Sequence, residues 1–449
     1  MEAVTQQQSF WAKSKVLVKV FIIGFMALLL MIPTFLVRDL IAEREKRQKE
    51  AIAEVSSKWA GQQNITGPIL VLPFVREEGD SSKKLRVKHF AHFLPDELNI
   101  NAAVMPQEKH RGIYKVMLYT ANIKLTGRFG DILPAKLNIA PENILWNEAF
   151  VTLHLSDVNG LNDELKLNWN NQILSLAPQT SGGSLNGMQS TLSLTNPEDL
   201  KNVPFSAEIN LNGSEQLLFT PVGKATTVSM HSSWPHPSFT GNILPQTTQV
   251  RDSGFTATWK SLAHKRNFPQ QWIDDTYTVG VVHASSRTTD VAGNFINRAA
   301  FGTDLFIPVN DYQKTMRSVK YAVLCILLTF TAFFLIETTN GKSVHPFQYG
   351  LIGLALVLFY TLLLSFSEYI GFNPAYAVAS LCTIGLIAWF VKGLLSSAKL
   401  STVLTAILVL MYTYIFTLLQ LQDYALLLGS VGLFITLAVI MYFSRRMQW

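Results

Sequence analysis

Six stretches of the chain are apolar for close to twenty consecutive residues: 16–37, 319–336, 349–366, 375–391, 400–419 and 424–443. A hydrocarbon layer takes about 20 residues of α-helix, fewer where flanking side chains snorkel, so each run predicts a membrane span. The first is too long for the apolar part of a cleaved leader. It also lacks a small-x-small exit, since Phe35-Leu36-Val37-Arg38 follows Thr34, and it reads as an uncleaved signal anchor. Lys19, near its start, is placed to snorkel back to the headgroups, and Pro33 predicts a kink near the far end.

The short loops set the orientation, because Lys and Arg are retained on the cytoplasmic side. The loops near Lys342 and near Lys392 and Lys399 are positive, as is the tail with Arg445 and Arg446. The alternate loops hold Glu368 and Asp423 without Lys or Arg, and the N-terminal segment carries Lys13 and Lys15. Both termini are therefore expected in the cytoplasm, and residues 38–318 outside it, which in a Gram-negative bacterium is the periplasm. Lys314, Arg317 and Lys320 fall on the wrong side, which long translocated domains tolerate.

Within the exterior segment the period changes. Residues 38–59 read as helix: Glu43 faces Arg47, Glu45 faces Lys49, and Ile52, Val55 and Trp59 form an apolar stripe. A stalk and a dimerising helix both fit, and the lack of sustained heptads favours the stalk. After Gly67-Pro68 the alternation is that of strands. Val151, Leu153 and Leu155 alternate with Thr152, His154 and Ser156, and Leu165, Leu167 and Trp169 with Lys166 and Asn168. Phe255, Ala257 and Trp259 alternate with Thr256, Thr258 and Lys260, and Pro95-Asp96, Asn159-Gly160 and Asn212-Gly213 read as turns. The Gly/Ser-rich stretch 180–187 reads as a flexible loop. The expectation is a mainly antiparallel β domain, sandwich-like or a half-closed barrel.

Composition narrows the function classes. Of 37 basic and 31 acidic residues only nine lie beyond residue 318, which excludes a purely soluble or a disordered chain. The net charge of +6 comes from interleaved signs, as in Glu43-Arg44-Glu45-Lys46-Arg47, so a solvated face is expected and no nucleic-acid partner. The two cysteines, Cys325 and Cys382, both lie in apolar runs, so the exterior segment builds neither a disulfide nor a cysteine-ligated zinc site.

Signatures of catalysis are lacking. Asn340-Gly341-Lys342-Ser343 is similar to the end of a phosphate loop, but Ile336 stands where its first Gly is needed. His89 and His92 are three apart in a strand-like stretch and point to opposite faces, which argues against shared metal coordination. His231 and His236 flank Trp234 and Pro235 in a loop, where a structural role is favoured over a ligand or acid–base one. Glu337, Glu368 and Asp423 fall at span ends, where water or headgroups reach them, and no acid marks a midplane relay. Ala375, Ala379 and Thr383 repeat every four residues and predict close helix packing.

The segments themselves resemble the CreD family of bacterial inner-membrane proteins. The resemblance runs from Glu43-Arg44 through Trp59 and Gly67-Pro68 to Arg111-Gly112-Ile113-Tyr114 with Tyr119, then Gly213-Ser214 and Pro221-Val222-Gly223. Its most distinctive stretch is Trp234-Pro235-His236-Pro237-Ser238-Phe239 with Gly241 and Leu244-Pro245. Pro308-Val309, Tyr312-Gln313-Lys314, Arg317-Ser318-Val319-Lys320-Tyr321, His345-Pro346 with Gln348-Tyr349, and Leu362-Leu363-Leu364-Ser365-Phe366-Ser367-Glu368 complete it. Tyr369 stands where a His is expected after Glu368, which counts against a proton-linked role there. The resemblance implies a protein tied to envelope integrity, to the CreBC two-component regulon, to tolerance of E-type colicins and to envelope stress. It implies no reaction and no catalytic residues.

The reading as a whole is a membrane protein of six transmembrane α-helices, one N-terminal and five C-terminal, with a large mainly antiparallel β exterior (periplasmic) domain. Its parts are a cytoplasmic N-terminus (1–15), a signal-anchor helix (16–37), a helical stalk (38–66), a periplasmic β domain (67–318), a five-helix bundle (319–443) and a cytoplasmic tail (444–449). The expected activity is sensing or scaffolding rather than catalysis, without cofactor or metal; transport, lipid handling and an envelope hydrolase are the alternatives. Expected partners are the lipid bilayer, envelope proteins and a second copy of the chain. Candidate sites are the aromatic loop with Trp234, His236 and Phe239, and Glu368. Large aromatics usually bury, so closing a β core is favoured for that loop over a binding surface.

Overall fold

The computed structural model describes residues 18–78, 85–178, 187–279, 295–305, 311–339, 344–395, 397–421 and 424–444. Asp423, Lys342, the phosphate-loop-like 340–343, most of the 180–187 loop and the charged residues of both termini named above lie outside the described residues. The chain divides into two compact units, one of residues 50–308 and one of residues 1–49 with 309–449.

The membrane unit is helical. Its elements are α1 (Val18–Trp59, whose tail passes into the other unit), α2 (Asp311–Lys320), α3 (Ala322–Thr339), α4 (Pro346–Ile370), α5 (Phe372–Leu395), α6 (Ala398–Gln420) and α7 (Ala425–Ser444). Among the described residues α1, α4, α5 and α6 are by themselves long and apolar enough to cross a membrane; α2 and α3, bent by 42° at their junction, pass the same test only when taken together as one span. In α7 the apolar stretch described is Leu427–Ala438.

In α1 the regular helix lapses at Leu30, one turn before Pro33, whose ring has no N–H and crowds the preceding turn. The Thr34 hydroxyl donates to Leu30 O at 2.8 Å in that gap. Beyond Arg38 the helix becomes water-compatible, with ion pairs Glu43–Arg47 at 2.6 Å and Glu45–Lys49 at 3.0 Å. Helix α4 starts at a capping box: His345 Nδ1 accepts from Phe347 N–H, Gln348 accepts from His345 N–H, and Pro346 occupies the first turn. Gly353 lets α4 approach α1 closely, since a Cβ there would meet Leu30 Cδ1 at 2.1 Å. Ala375, Ala379 and Thr383 on α5 are all buried, as their spacing predicts.

The other unit is two sheets. The nine-stranded one runs Ser238–Gly241, Phe301–Asp304, Gln216–Phe219, Gln63–Glu78, Phe150–Leu155, Gly187–Thr191, Ala177–Pro178; Leu85–Phe93 pairs with the far half of Gln63–Glu78, and Gln271–Ile273 with Leu85–Phe93. The eight-stranded one runs Thr247–Arg251, Gly254–Leu262, Ala225–Ser232, Glu97–Arg111, Tyr114–Phe129, Val203–Ser214, Lys166–Trp169, Gln172–Ser175. Pairing is antiparallel except for Gln63–Glu78 with Gln216–Phe219 and Glu97–Arg111 with Ala225–Ser232. Both sheets contribute to one apolar core, which includes Tyr119, Phe219, Trp259 and Phe301.

Four local expectations change. The first strand begins at Gln63, and Gly67-Pro68 lies inside it, where the pairing with Phe150–Leu155 slips between Thr66 and Ile69. The slip accommodates a proline that has no N–H for the ladder. Strand Phe150–Leu155 is buried on both faces, Thr152 and His154 included, because it is central in its sheet. Asn212-Gly213 is strand, not turn: a Cβ on Gly213 would lie 2.3 Å from the Tyr119 ring, so this glycine serves a close approach. His231 belongs to strand Ala225–Ser232, not to the aromatic loop.

Candidate functional sites

At one end of the membrane unit, Glu368 near the C-terminus of α4 is shared. The Tyr312 hydroxyl of α2 donates to its Oε1 at 2.9 Å, and Arg44 Nε of α1 lies 3.8 Å from the same oxygen. The carboxylate is 9% exposed. It is thus held by protein groups rather than by the water or headgroups expected at a span end. Nearby in the same end, Lys314 Nζ sits 5.6 Å from the Phe372 ring centroid, and Gln420 donates to Asn373 Oδ1 at 2.6 Å. Tyr369 is 77% exposed and turned away from this cluster's buried side.

The opposite end holds a second carboxylate. Glu337, on the last turns of α3, is only 4% exposed. It receives Lys19 Nζ of α1, the Tyr349 hydroxyl of α4 at 2.6 Å and Val344 N–H at 2.8 Å. Lys19 also donates to Val344 O at 2.9 Å. Lys19 therefore turns inward to an ion pair instead of snorkelling to the headgroups, and Glu337 is enclosed instead of solvated. Buried charge of this kind persists only when paired and hydrogen-bonded, and here each oxygen has donors. From Lys19 to Arg44 is 25 residues of helix, about 37 Å at 1.5 Å per residue. That exceeds a hydrocarbon layer of about 30 Å, so the two clusters bracket it.

The clusters also give the family-like segments a physical role. Arg44, Tyr312 and Glu368, one from each of three such segments, meet at one of them, and His345-Pro346 with Gln348-Tyr349 caps α4 and delivers Tyr349 to the other.

In the β unit the aromatic loop folds back on itself. The Trp234 indole N–H donates to His236 O at 3.0 Å, and Trp234 N–H to Ser232 Oγ at 3.2 Å. Phe239 lies in strand Ser238–Gly241, which pairs with Phe301–Asp304, and packs edge-on against Phe255 and Trp259, at 5.8 and 5.7 Å. Trp234 and Phe239 are half-buried against the core, while His236 is exposed. The structure does not bring this loop's histidine together with an acid or a nucleophile among the described residues.

The paired histidines separate. His89 Nδ1 lies 2.6 Å from Asp274 Oδ2, and its Nε2 3.1 Å from Glu78 Oε1. His92 stacks on Trp272 with ring centroids 5.1 Å apart. Burial lowers His92 to about 4, and burial together with the nearby His92 lowers His154 to about 4 as well. Both are neutral core imidazoles at pH 7. No group of three or more His, Cys, Asp or Glu fit to hold a metal occurs among the described residues.

Sequence reasoning missed the Lys19–Glu337–Tyr349 cluster. The signal was a lone base and a lone acid inside apolar runs, which in a membrane calls for a named partner.

A bundle of apolar helices that encloses two carboxylates beside basic partners, joined in one chain to a large β unit, is a multi-pass membrane protein. The comparisons agree with that class. The family model described as Inner membrane protein CreD matches residues 15–449. The inner membrane protein CreD of Escherichia coli (strain K12) is 32% identical over 428 residues, covering 94% of this chain and 91% of that one. The chain belongs to the CreD family of inner membrane proteins.

Proposed function

We propose that this protein supports cell-envelope integrity and the envelope-stress response as a non-enzymatic sensing scaffold of the inner membrane. In this reading it has six spans, with Ala425–Ser444 the sixth, both termini cytoplasmic and residues 38–318 periplasmic. The alternation of positive and non-positive short loops supports that topology.

The observation that carries the proposal is the sharing of Glu368 between Arg44 and Tyr312. These residues lie at the roots of the two chain segments that lead out to the β unit and back. A change of shape or a partner bound there is transmitted through the two roots to one carboxylate on α4. The longer Arg44 contact is the one that gives first. Trp234, His236 and Phe239 remain the candidate partner-binding surface, with envelope proteins as the class of partner. The same acid favours a second reading, transport or lipid handling, since an enclosed carboxylate in a helix bundle is the usual place for coupled ion chemistry.

Complementation tests this. In a bacterium deleted for its own copy, the full chain is expected to restore resistance to envelope-targeting antibiotics and the normal response to E-type colicins. Residues 1–318 and 319–449 supplied separately are expected to fail. Full rescue by residues 1–318 alone would refute the role given to the bundle. Reporter fusions after Lys399 and after residue 423 are expected to report opposite compartments.

A further inference from the structure

Between α5 and α6 runs an open groove of about 970 Å³, from Lys392 and Trp389 at one end to Thr417 at the other. Its lining looks half polar in sequence but is apolar in effect. Thr402, Thr405, Thr413 and Thr417 each donate their hydroxyl to a backbone carbonyl one turn earlier on α6. Ser401 donates to Ala388 O at 3.2 Å, and the Tyr414 hydroxyl donates to Leu428 O. With the hydroxyls occupied, these residues present methyl groups and ring faces to the groove.

One charge remains. Lys392 is exposed at the end of the groove and has no hydrogen-bond or ion-pair partner among the described residues. Trp389, one turn deeper on the same face of α5, is 75% exposed, and Leu410 further along is 73% exposed. From Phe372, at the Glu368 end, to Lys392 is 20 residues of helix, about 30 Å. This sets the ammonium at the opposite edge of the hydrocarbon layer, at headgroup depth, with the indole just inside it. A cation at the phosphate level, an aromatic ring below it and an apolar trough leading inward together complement one molecule: a two-chain lipid with a negatively charged headgroup.

We infer that the α5–α6 groove is a binding site for an anionic phospholipid, with Lys392 on the headgroup phosphate and an acyl chain laid along α6. The volume lies at the upper end of the roughly 300–1,000 Å³ of small-molecule sites, as a lipid requires.

Bromine on an acyl chain quenches a nearby indole, which gives a direct test. The full chain is reconstituted in phosphatidylcholine vesicles containing either brominated-chain phosphatidylglycerol or brominated-chain phosphatidylcholine at equal mole fraction. The Trp389 signal is taken as the difference between wild type and Trp389→Phe. Quenching by the anionic lipid is expected to be roughly five-fold more effective at low mole fraction. Lys392→Gln should abolish that preference while leaving quenching by brominated phosphatidylcholine, and Lys392→Arg should keep it, which separates charge from folding. Equal quenching of the wild type by both lipids would overturn the inference. So would absence of quenching by either lipid, and if Leu410→Cys then crosslinked between chains in a Cys382→Ala background, a second copy would occupy the groove instead.

Discussion

The β unit and the membrane unit use charge in opposite ways. The β unit carries many ion pairs, and most are as exposed as Arg128–Glu97, with side chains 50% and 48% exposed, or Arg111–Glu54, at 58% and 42%. Of the ionisable groups it buries, His92 and His154 are neutral, while the partly buried Arg266 stays charged and donates to the carbonyls of Pro221 and Val222 rather than to an acid. The membrane unit has few charges among its described spans; it encloses two carboxylates beside basic partners, Glu337 with Lys19 and Glu368 with Arg44, and leaves Lys392 exposed near the end of a span. Water accounts for the contrast. Beside solvent an ion pair adds little because each partner is well hydrated when apart. Inside the bundle a lone charge has no such alternative, so its partner becomes part of the structure.

The largest effect is expected where a pair is most enclosed. Glu337→Leu leaves Lys19 and Val344 N–H without their acceptor, and Lys19→Met leaves Glu337 with hydroxyl and amide donors only. Breaking one side of a buried pair costs about 3–5 kcal/mol. Each single variant should lower the thermal midpoint of the purified chain and its yield in membranes. The double variant Lys19→Met/Glu337→Leu should recover most of the loss, and a double variant worse than either single one would show the pair is not coupled.

In the β unit the matching experiment is acid. His92 and His154 titrate near 4 when folded, against the usual 6.5, so between those values the unfolded chain binds the extra protons. Their contribution is fully present above about pH 6.5 and is lost as the pH falls toward 4, at most about 3 kcal/mol for each histidine. Protection of the amides of Leu85–Phe93 and Phe150–Leu155, taken relative to the unfolded-chain exchange rate at each pH, should therefore fall as the pH drops through that window. His92→Phe, which keeps an aromatic ring beside Trp272, should flatten part of the slope.

How far the sequence foretold all this depends on the range of the interactions. The apolar runs and the strand alternation at Leu165–Trp169 and Gly254–Trp259 are local and were legible. The i,i+4 pairs of α1 were equally so. Lys19 and Glu337, by contrast, are 318 residues apart, and only tertiary packing joins them. Gly213 read as a turn because Asn-Gly is a turn signal; what overrides it is the ring of Tyr119 from the neighbouring strand. Thr152 and His154 read as outward because polar residues usually are, and a central strand buries both faces.

The aromatic loop comes next in size. Phe239→Ala should cost about 2–3 kcal/mol, because it opens a gap beside Phe255 and Trp259. Trp234→Ala should cost less, since its indole hydrogen bond closes on its own loop. Urea unfolding followed by β-sheet circular dichroism ranks the two. If Trp234→Ala leaves the fold intact yet abolishes pull-down of envelope proteins, the loop is surface for a partner; if it unfolds the β unit, the loop is core alone.

The smallest effect is assigned to the exposed pairs. Arg111→Ala removes a 3.0 Å contact with Glu54, whose carboxyl is held below the usual range chiefly by its hydrogen bond to Lys58 and by the charge of Arg111. The stability change should be close to the scatter of the measurement and shrink further in high salt. A loss of several kcal/mol would erase the contrast between the two units.

Glu368 tests the central claim, that one carboxylate ties α1 and α2 to α4, through a hydrogen bond from Tyr312 and an ion pair with Arg44, rather than by exchanging protons. Glu368→Gln keeps an oxygen for the Tyr312 hydroxyl and gives up only the charge facing Arg44 at 3.8 Å, whereas Glu368→Leu removes both contacts. The measurement is complementation of envelope sensitivity by the two variants at matched membrane levels. The account predicts rescue close to wild type by Glu368→Gln and failure by Glu368→Leu. Failure of Glu368→Gln as complete as that of Glu368→Leu would contradict it and point to transport, and full rescue by Glu368→Leu would remove the junction from the mechanism.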